Sequence, residues 1–336
     1  MGMNFQTIAE TAAEHVFGEQ KATLLSCEKI KTPGSTVIRC EYAIGTTSKA
    51  LFLKLPAENK DSKQTNNFIQ QLKGELYLAE HVKSAFKATP ELEVVSPAGY
   101  IDDINCFVTW EIQGDSLQDV ISAGLLFKYR QDIPELVALS ELCGKWLKHF
   151  HSLDLLEGEI DLRQDILSYC SNRISVLVRT NNSRVTKAFA EHLKQNISAW
   201  IDDALSSPEV RITLCHNDYS PHNIIVTEKG ICVLDFSYSS AGLPAFDLAC
   251  FWHKMEDLKI SLLRGRKGLE AIQNSFLYAY GVDFDLTRPD IKLGLTRLIL
   301  SKMTTLLNSR SIRPDRWIEN RRRYATYLAM LESLFE

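Results

Sequence analysis

The sequence has no apolar run near the ~20 residues that a helix needs to cross a bilayer. It has no Cys-x-x-Cys pair, no internal repeat and no low-complexity segment. Its eight cysteines are scattered, mostly in apolar runs, as is typical of small core residues in a reducing compartment. The net charge of -4 gives no excess of positive charge for nucleic acid or an anionic membrane. No secretory leader is seen, and Gln6 stands where a myristoylation signal requires Ser or Thr. We therefore expect a cytoplasmic protein without nucleic-acid or membrane partners, and the oligomeric state stays open.

What the sequence does contain is a globular composition, with 45% hydrophobic and 24% charged residues over 336 positions. In the first hundred residues short apolar runs alternate with turns. "TLLSCEKI", "VIRCEYAI" and "KALFLKL" predict three strands of an antiparallel sheet. A helical spacing of apolar residues follows from Phe68 to Phe86, and "CFVTWEI" predicts one more strand.

Beyond that strand the spacing is mostly helical, with one strand-rich island from Cys215 to Phe236. This order of elements predicts an α+β protein of two lobes. A small antiparallel-sheet lobe would span residues 1–111, and a larger, mostly helical lobe would span residues 112–336.

The strand-rich island carries an unusual density of polar residues in "LCHNDYSPHNIIV". Such residues also suit an ordinary loop, because Asn, Asp, Ser and Pro form turns. Asn223 opens the strand "NIIV", and "ICVLD" closes with Asp235. A loop from Glu228 to Gly230 would place Asn223 opposite Asp235, whereas a bulge at Gly230 would shift the register by one. One amide and one carboxylate oxygen are ligands that suit Mg²⁺.

The spacing of the polar residues resembles a known family. His216-x-Asp218-x-x-x-x-Asn223, a hairpin, and then Asp235-Phe236-Ser237 resemble the catalytic and metal-binding loops of the kinase superfamily. Pro221, two residues before the Asn, makes this version similar to the aminoglycoside phosphotransferase and choline kinase family. "GLPAFDLA" resembles the next element of that family, with Asp247 at the position of its structural aspartate. The resemblance is specific over residues 214–250 and looser over residues 25–155.

The resemblance implies a protein-kinase-like fold and an ATP-dependent phosphotransferase that uses Mg²⁺ and a small-molecule hydroxyl acceptor. It implies that Asp218 accepts or orients the proton of the acceptor hydroxyl. Asn223 and Asp235 would be the metal ligands. His216 and Asp247 would support the loop rather than touch the substrate.

A kinase site also needs a lysine and a glutamate from the small lobe. Lys54 is the cation inside the apolar run "KALFLKLP". Glu75 falls near the middle of the apolar stripe of the predicted helix, whereas Glu80 falls well off it. A carboxylate on a buried face is costly unless it is paired. We therefore expect Glu75, and not Glu80, to pair with Lys54 and hold it toward the nucleotide phosphates.

The remaining nucleotide contacts are assigned by position. Gly34, Ser35 and Thr36 lie between the first two strands, where the family covers the phosphates of the nucleotide. Trp110 and Ile112 lie at the connector between the predicted lobes, and we assign them to the nucleotide as well.

The sequence departs from protein kinases in the stretch after Asp235. Ser237 replaces the glycine of Asp-Phe-Gly, and Asp247 follows only twelve residues after Asp235, which leaves no room for a peptide-binding activation segment. The acceptor is therefore expected to be small: an aminoglycoside, a choline-like alcohol, an amino alcohol or a sugar. Two alternatives stay open, a nucleotide-binding module without transfer activity and a metal hydrolase using His216, Asp218 and His222.

Overall fold

The computed structural model describes residues 4–31, 35–57, 61–126, 133–154, 161–180, 184–261, 266–308 and 314–335. The chain divides into two compact units. The first unit comprises residues 1–123 and 221–239, and the second comprises residues 124–220 and 240–336. Across the described ranges, no helix combines the length and the apolar character needed to cross a membrane.

The elements of the described residues follow one another along the chain as α1 (Phe5–Phe17), β1 (Ala22–Lys31), β2 (Ser35–Ile44), β3 (Thr47–Pro56), α2 (Ser62–Ala85), β4 (Leu92–Val94), β5 (Pro97–Ile101), β6 (Cys106–Trp110), β7 (Asp115–Ser116), α3 (Leu117–Leu126), α4 (Ile133–Phe150), α5 (Leu162–Val178), α6 (Lys187–Ser206), β8 (Thr213–Cys215), β9 (Ile224–Val226), β10 (Ile231–Val233), β11 (Ser240–Gly242), α7 (Ala245–Ser261), α8 (Arg266–Tyr280), α9 (Pro289–Asn308) and α10 (Pro314–Ser333). Short 3₁₀ helices occupy Phe86–Ala88, Asp102–Ile104 and Pro221–Asn223.

The first unit is built on a five-stranded antiparallel sheet in the order β1-β2-β3-β6-β5. The strands predicted from the sequence are present. Buried residues alternate along β2, as expected for a strand with one face in the core. Helix α1 was not predicted. Asn4 caps it by accepting a hydrogen bond from the Gln6 amide at 3.2 Å, and Ile8, Ala9 and Ala12 bury its apolar face in the core of the sheet.

A second sheet of the first unit has the order β4-β10-β9-β7. The predicted register of its hairpin is wrong by one residue. Val226 pairs with Ile231, and the next pair, Thr227 and Gly230, exchanges two backbone hydrogen bonds of 2.9 and 3.3 Å. The loop therefore has two residues instead of three, and the backbone of Asn223 bonds to Leu234, not to Asp235.

A side chain at position 230 would collide with the carbonyl oxygen of Glu91, so only glycine fits where the hairpin meets β4. β10 pairs with β4 and β9 pairs with β7, which places residues 221–239 in the first compact unit. The division of the lobes at residues 111 and 112 stays a prediction.

The second unit is mostly helical, with one small antiparallel pair of strands, β8 and β11. Helices α5, α6, α7, α9 and α10 enclose one apolar core. Aromatic side chains pack together around Tyr219, whose ring stacks on Trp146 with centroids 5.4 Å apart and on Phe251 with centroids 6.2 Å apart. Helix α4 approaches α8 closely at Gly144, where a side chain would collide with the Phe276 carbonyl oxygen.

His253, buried on α7, gives a prediction about stability. Burial lowers the pKa of His253 from 6.5 to about 4, against the weaker attraction of Asp257 3.7 Å away. The unfolded chain takes up a proton on this residue as the pH falls through 6.5, while the folded protein does not until about pH 4. The free energy of unfolding should therefore fall by ~3 kcal/mol between pH 6.5 and 4 on account of this group.

Urea unfolding of the wild type and of His253→Gln across this pH range tests the prediction. The variant should lose less stability on acidification, whereas His192→Gln, at an exposed position on α6, should follow the wild type. Equal pH slopes for the wild type and His253→Gln would contradict the assignment.

Candidate active site

One lysine of the first unit joins three elements through a compact polar cluster. Lys54 on β3 lies 3.0 Å from Glu75 on α2, 2.8 Å from Asp235 and 2.6 Å from Ser237, all measured from its Nζ to a side-chain oxygen. We call these four residues the Lys54 cluster. Residues 51, 53 and 55 point into the sheet core on one face, so Lys54 projects from the other face.

The predicted choice of glutamate is confirmed by the geometry. Glu75 is 3% exposed and lies among the buried residues Leu72, Ala79 and Val82 of α2, whereas Glu80 is exposed. The helical periodicity that buries one face of α2 therefore also places the Glu75 carboxylate beside Lys54. Its role toward a nucleotide stays a prediction.

The Lys54 cluster brings one ammonium group together with two carboxyl groups. Burial alone would lower the pKa of Lys54, but the carboxylates of Glu75 and Asp235 outweigh burial and raise it. The ammonium group is therefore charged at neutral pH. Burial raises the pKa of Glu75, against the attraction of Lys54. With both carboxylates ionised, one positive charge faces two negative charges, which favours the approach of a further cation.

Ser237 is a member of the cluster that the sequence pattern did not identify as a site residue. Its hydroxyl oxygen accepts from Lys54 and lies 2.7 Å from an oxygen of Glu75 and 2.7 Å from one of Asp235, so it can donate to either. The chain reaches this position because Asp235 has a left-handed backbone with φ 62°. Glycine in place of Ser237 would provide none of these bonds.

The structure separates the other predicted nucleotide contacts. Ser35 pairs with Pro56 and shares the sheet face of Lys54. Thr36 pairs with Leu55 and is buried on the opposite face. Trp110 is on that opposite face as well, with its ring 5.9 Å from the ring of Phe17. The structure therefore does not bring the side chains of Thr36 and Trp110 to Lys54, and Gly34 lies outside the described residues.

Ile112 lines a cavity of about 460 Å³ within the first unit. Glu93, Glu111 and the hairpin residues 226–229 line it as well. Glu111 is held by Arg39 through two hydrogen bonds of 2.5 and 2.9 Å, which lower the pKa of its carboxyl. The contact of Ile112 with a nucleotide stays a prediction.

In the second unit, the loop that carries Asp218 is anchored on both sides of that residue. The buried carboxylate of Asp247 accepts the backbone N–H groups of His216 and Asn217, both at 2.7 Å. On the other side, the Tyr219 hydroxyl donates to the Cys143 carbonyl at 2.8 Å. The side chain of Asp218 is partly exposed. A carboxylate held at an ordered, open position is suited to accept a proton from a substrate.

Asp247 has a third partner that extends the network. His151, the residue after the end of α4, lies 3.0 Å from Asp247 through Nε2 and 2.9 Å from the Tyr280 hydroxyl through Nδ1. Cys215 lies near enough to complete a possible metal set with His151 and Asp247. Both oxygens of Asp247 already accept N–H donors, so hydrogen bonding accounts for this cluster. Among the described residues, no metal set includes His222, as the hydrolase alternative would require.

The donor set at the end of the hairpin fits Mg²⁺. Asp235 is 38% exposed, compared with 3% for Glu75, so it is the carboxylate of the Lys54 cluster that is open to a cation. Asn223 is buried immediately before β9 and would contribute a neutral amide oxygen. Carboxylate and amide oxygens with an excess of negative charge are what a hard divalent cation requires. The observed register no longer places the two residues opposite each other, and their joint action as ligands stays a prediction.

Replacing members of the Lys54 cluster should affect stability unequally. Lys54→Met leaves two carboxylates without their cation, one of them buried, and should cost ~3–5 kcal/mol of unfolding free energy. Glu75→Gln leaves Lys54 paired with Asp235 and should cost less. Urea unfolding measures both. Glu80→Gln on the exposed face of α2 is the matched control and should change stability by less than ~0.5 kcal/mol. A larger loss for Glu75→Gln than for Lys54→Met would contradict this order.

Comparison with known proteins identifies the family. The model of the phosphotransferase enzyme family, APH, matches residues 41–286. None of the curated proteins matches the chain by sequence. Among solved structures, choline kinase LicA from Streptococcus pneumoniae is 17% identical with a TM-score of 0.56, and the alignment covers 97% of this chain and 98% of the other.

A choline/ethanolamine kinase family protein from Mesorhizobium loti is 14% identical with a TM-score of 0.57, over 98% of this chain and 95% of the other. The aminoglycoside phosphotransferase APH(2'')-IIa, solved with streptomycin and ATP, is 15% identical with a TM-score of 0.57, over 97% of both chains. These likenesses confirm the predicted two-lobed, protein-kinase-like α+β fold. Because the family model spans well over half of the sequence, the chain belongs to the phosphotransferase enzyme family.

Proposed function

We propose that this protein is an ATP- and Mg²⁺-dependent kinase that transfers the γ-phosphoryl group to a hydroxyl of a small molecule. The observation that carries the proposal is the Lys54 cluster, in which Lys54 is oriented by buried Glu75 and by Asp235 at the same time. A lysine held in this way in a member of a phosphotransferase family is placed for phosphate oxygens. Solved neighbours that contain ATP or ADP support the choice of nucleotide.

The chemical step needs a base, and Asp218 is the proposed one. As the acceptor oxygen forms its bond to the γ-phosphorus, the bond from that phosphorus to the β–γ bridging oxygen breaks and ADP leaves. The proton of the acceptor hydroxyl passes to the Asp218 carboxylate. Asp247 and Tyr219 fix the loop on either side of Asp218, so little reorganisation is needed when the acceptor binds.

Residues of the first unit would bind the nucleotide. Lys54 would donate to oxygens of the α- and β-phosphates, exchanging part of its contact with Asp235 for them. Asp235 and Asn223 would hold Mg²⁺, which when bound offsets negative charge on the phosphates. Ser237 would keep Glu75 and Asp235 at fixed separation from Lys54.

The acceptor is proposed to be a small molecule and not a protein. Between Asp235 and Asp247 the chain forms the short strand β11, which pairs with β8 of the second unit, and then enters the first turn of helix α7. We expect the enzyme to be active as translated, because a phosphate added next to Asp235 would repel ATP.

The test is ADP release from Mg-ATP with panels of aminoglycosides, amino alcohols, sugars and hydroxy acids, and with a generic protein acceptor. ADP release that depends on a small hydroxyl compound supports the proposal. Tight nucleotide binding without transfer to any acceptor would instead indicate a binding module. Asp235→Asn serves as the inactive control, because it removes the negative charge of the carboxylate that would bind Mg²⁺ and that pairs with Lys54. Efficient labelling of the protein acceptor, or loss of turnover after phosphatase treatment, would contradict the proposed substrate class.

A further inference from the structure

Two cysteine side chains of the first unit meet across the hairpin of β1 and β2. Cys27 lies directly opposite Cys40 in the register of the two strands, and their Sγ atoms are 3.2 Å apart. Directly opposite residues of antiparallel strands have Cα atoms ~4.5 or ~5.5 Å apart, and both distances lie within the ~4.4–6.8 Å that a disulfide spans. A sulfur–sulfur bond of ~2.0 Å requires the two sulfurs to approach by about 1.2 Å, which needs no change of strand register.

The two thiols differ in their exposure to solvent. Cys27 is partly exposed, whereas the other seven cysteines of the chain are buried. Its sulfur lies near the Cys40 sulfur and 3.9 Å from the Phe5 carbonyl oxygen. Burial raises the pKa of Cys40 to about 12, so this thiol stays protonated at neutral pH. An oxidant from solvent therefore meets Cys27 first, and Cys40 is placed to react with the oxidised Cys27.

The strand that carries Cys27 would be restrained by a covalent link. β1 lies at the edge of the five-stranded sheet and pairs with β2. Its register against β2 shifts between Leu24 and Ser26, immediately before Cys27, and then continues unbroken to Lys31 opposite Thr36. A bond at the Cys27 position would fix this register beside the shift and hold the edge strand to its neighbour.

We propose that Cys27 and Cys40 are a site of reversible oxidation, at which a hydroperoxide converts the two thiols into a disulfide that joins β1 to β2. The site does not depend on the proposed kinase activity. The Cys27 thiolate attacks one oxygen of the hydroperoxide, the O–O bond breaks, and the other oxygen leaves with the proton of the thiol as water or an alcohol. The Cys40 sulfur then attacks the sulfur of the Cys27 sulfenic acid, the S–O bond breaks, and hydroxide leaves with the Cys40 proton as water. A dithiol restores both thiols by thiol–disulfide exchange.

The short distance between the sulfurs favours a disulfide over further oxidation of Cys27. A sulfenic acid beside a thiol condenses with it, whereas one without a neighbouring thiol is open to oxidation to the sulfinic acid. Cys106, the third cysteine of the five-stranded sheet, provides the comparison. It is buried on β6 opposite Ile101, and its sulfur lies 3.6 Å from the Phe107 carbonyl oxygen. We therefore expect peroxide to leave Cys106 as a thiol.

Peptide mapping tests the bond itself. The reduced full chain is treated with hydrogen peroxide, its remaining thiols are alkylated in denaturant, and the protein is digested with trypsin under non-reducing conditions. Trypsin cuts between the two cysteines, so Cys27 is recovered in residues 22–29 and Cys40 in residues 40–49. The two peptides should be recovered joined, and dithiothreitol should separate them. Recovery of separate peptides, with Cys27 either alkylated or oxidised to the sulfinic acid, would overturn the proposal.

Variants test the order of the two oxidations. Cys27→Ser removes the accessible sulfur, so its Cys40 thiol should be lost to peroxide at least ~10-fold more slowly than in the wild type. Cys106→Ala, which removes a buried cysteine of the same sheet, is the matched control and should form the disulfide within ~2-fold of the wild-type rate. Loss of the Cys40 thiol at equal rates in the wild type and in Cys27→Ser would contradict the role of Cys27.

The disulfide should also stabilise the protein and its edge strand. Closing the loop between the two cysteines restricts the unfolded chain, so the Tm of the oxidised wild type should exceed that of the reduced wild type by about 5 °C. Amide hydrogen exchange along β1 should slow in the same comparison. Cys27→Ser treated in parallel should show neither change, which separates the disulfide from other effects of peroxide. An equal or lower Tm for the oxidised wild type would show that the bond does not hold β1 to β2 as proposed.

Discussion

Asp218→Asn should lower kcat by about 10²- to 10⁴-fold while the protein folds and binds nucleotide normally. Asparagine fills the same volume but cannot take the proton that the acceptor hydroxyl must lose. The backbone on both sides of Asp218 is held by Asp247 and Tyr219, so the loop should keep its conformation in the variant. Single-turnover transfer with a confirmed acceptor gives the rate of the chemical step, and calorimetric titration with Mg-ATP gives the nucleotide affinity.

The control for this prediction is Asp203→Asn, an exposed position on α6 of the same unit. That variant should transfer phosphate at the wild-type rate. A fall in nucleotide affinity as large as the fall in kcat, or a kcat for Asp218→Asn within ~3-fold of the wild type, would remove Asp218 from the role of base.

The Lys54 cluster shows which site residues can be predicted from the local periodicity of the sequence and which cannot. Helical spacing was sufficient to select Glu75, because the apolar stripe of α2 fixes which face is buried. Strand alternation alone also places Lys54 on the face away from the core. Ser237 could not be selected in the same way, since its contacts depend on the left-handed backbone of Asp235 that turns the chain after β10.

Contacts between distant parts of the sequence explain what the sequence did not predict. The hairpin register depends on the close contact of Gly230 with the backbone of Glu91, the residue just before β4. Because that contact joins distant parts of the sequence, the two-residue loop has no local sequence signature. Tyr280 and His151 also meet through the packing of α8 on α4. Helix α1 had a local signal that was missed, an Asn N-cap followed by apolar residues at helical spacing.

The Asp247 network predicts a large loss of stability when its carboxylate is removed. Asp247 is fully buried and accepts two backbone N–H groups and lies within hydrogen-bond distance of His151. Asp247→Ala leaves these donors buried without an acceptor and should lower the unfolding free energy by ~3–5 kcal/mol. For a unit of this size, such a loss corresponds to a decrease in Tm of roughly 10 °C.

Asp247→Asn distinguishes loss of hydrogen bonds from loss of the side chain's volume. Its amide oxygen can still accept one N–H group, but its NH₂ group would face a second donor, so it should lie between the wild type and Asp247→Ala in stability. Thermal unfolding of both variants, with Asp203→Ala as the exposed control, tests this order. The substitution should also make the loop that carries Asp218 less ordered. At a temperature where Asp247→Asn is folded, its rate of phosphate transfer should therefore fall by a larger factor than its affinity for the nucleotide. A Tm for Asp247→Ala within ~2 °C of the wild type would show that the loop before Asp218 is ordered by other contacts.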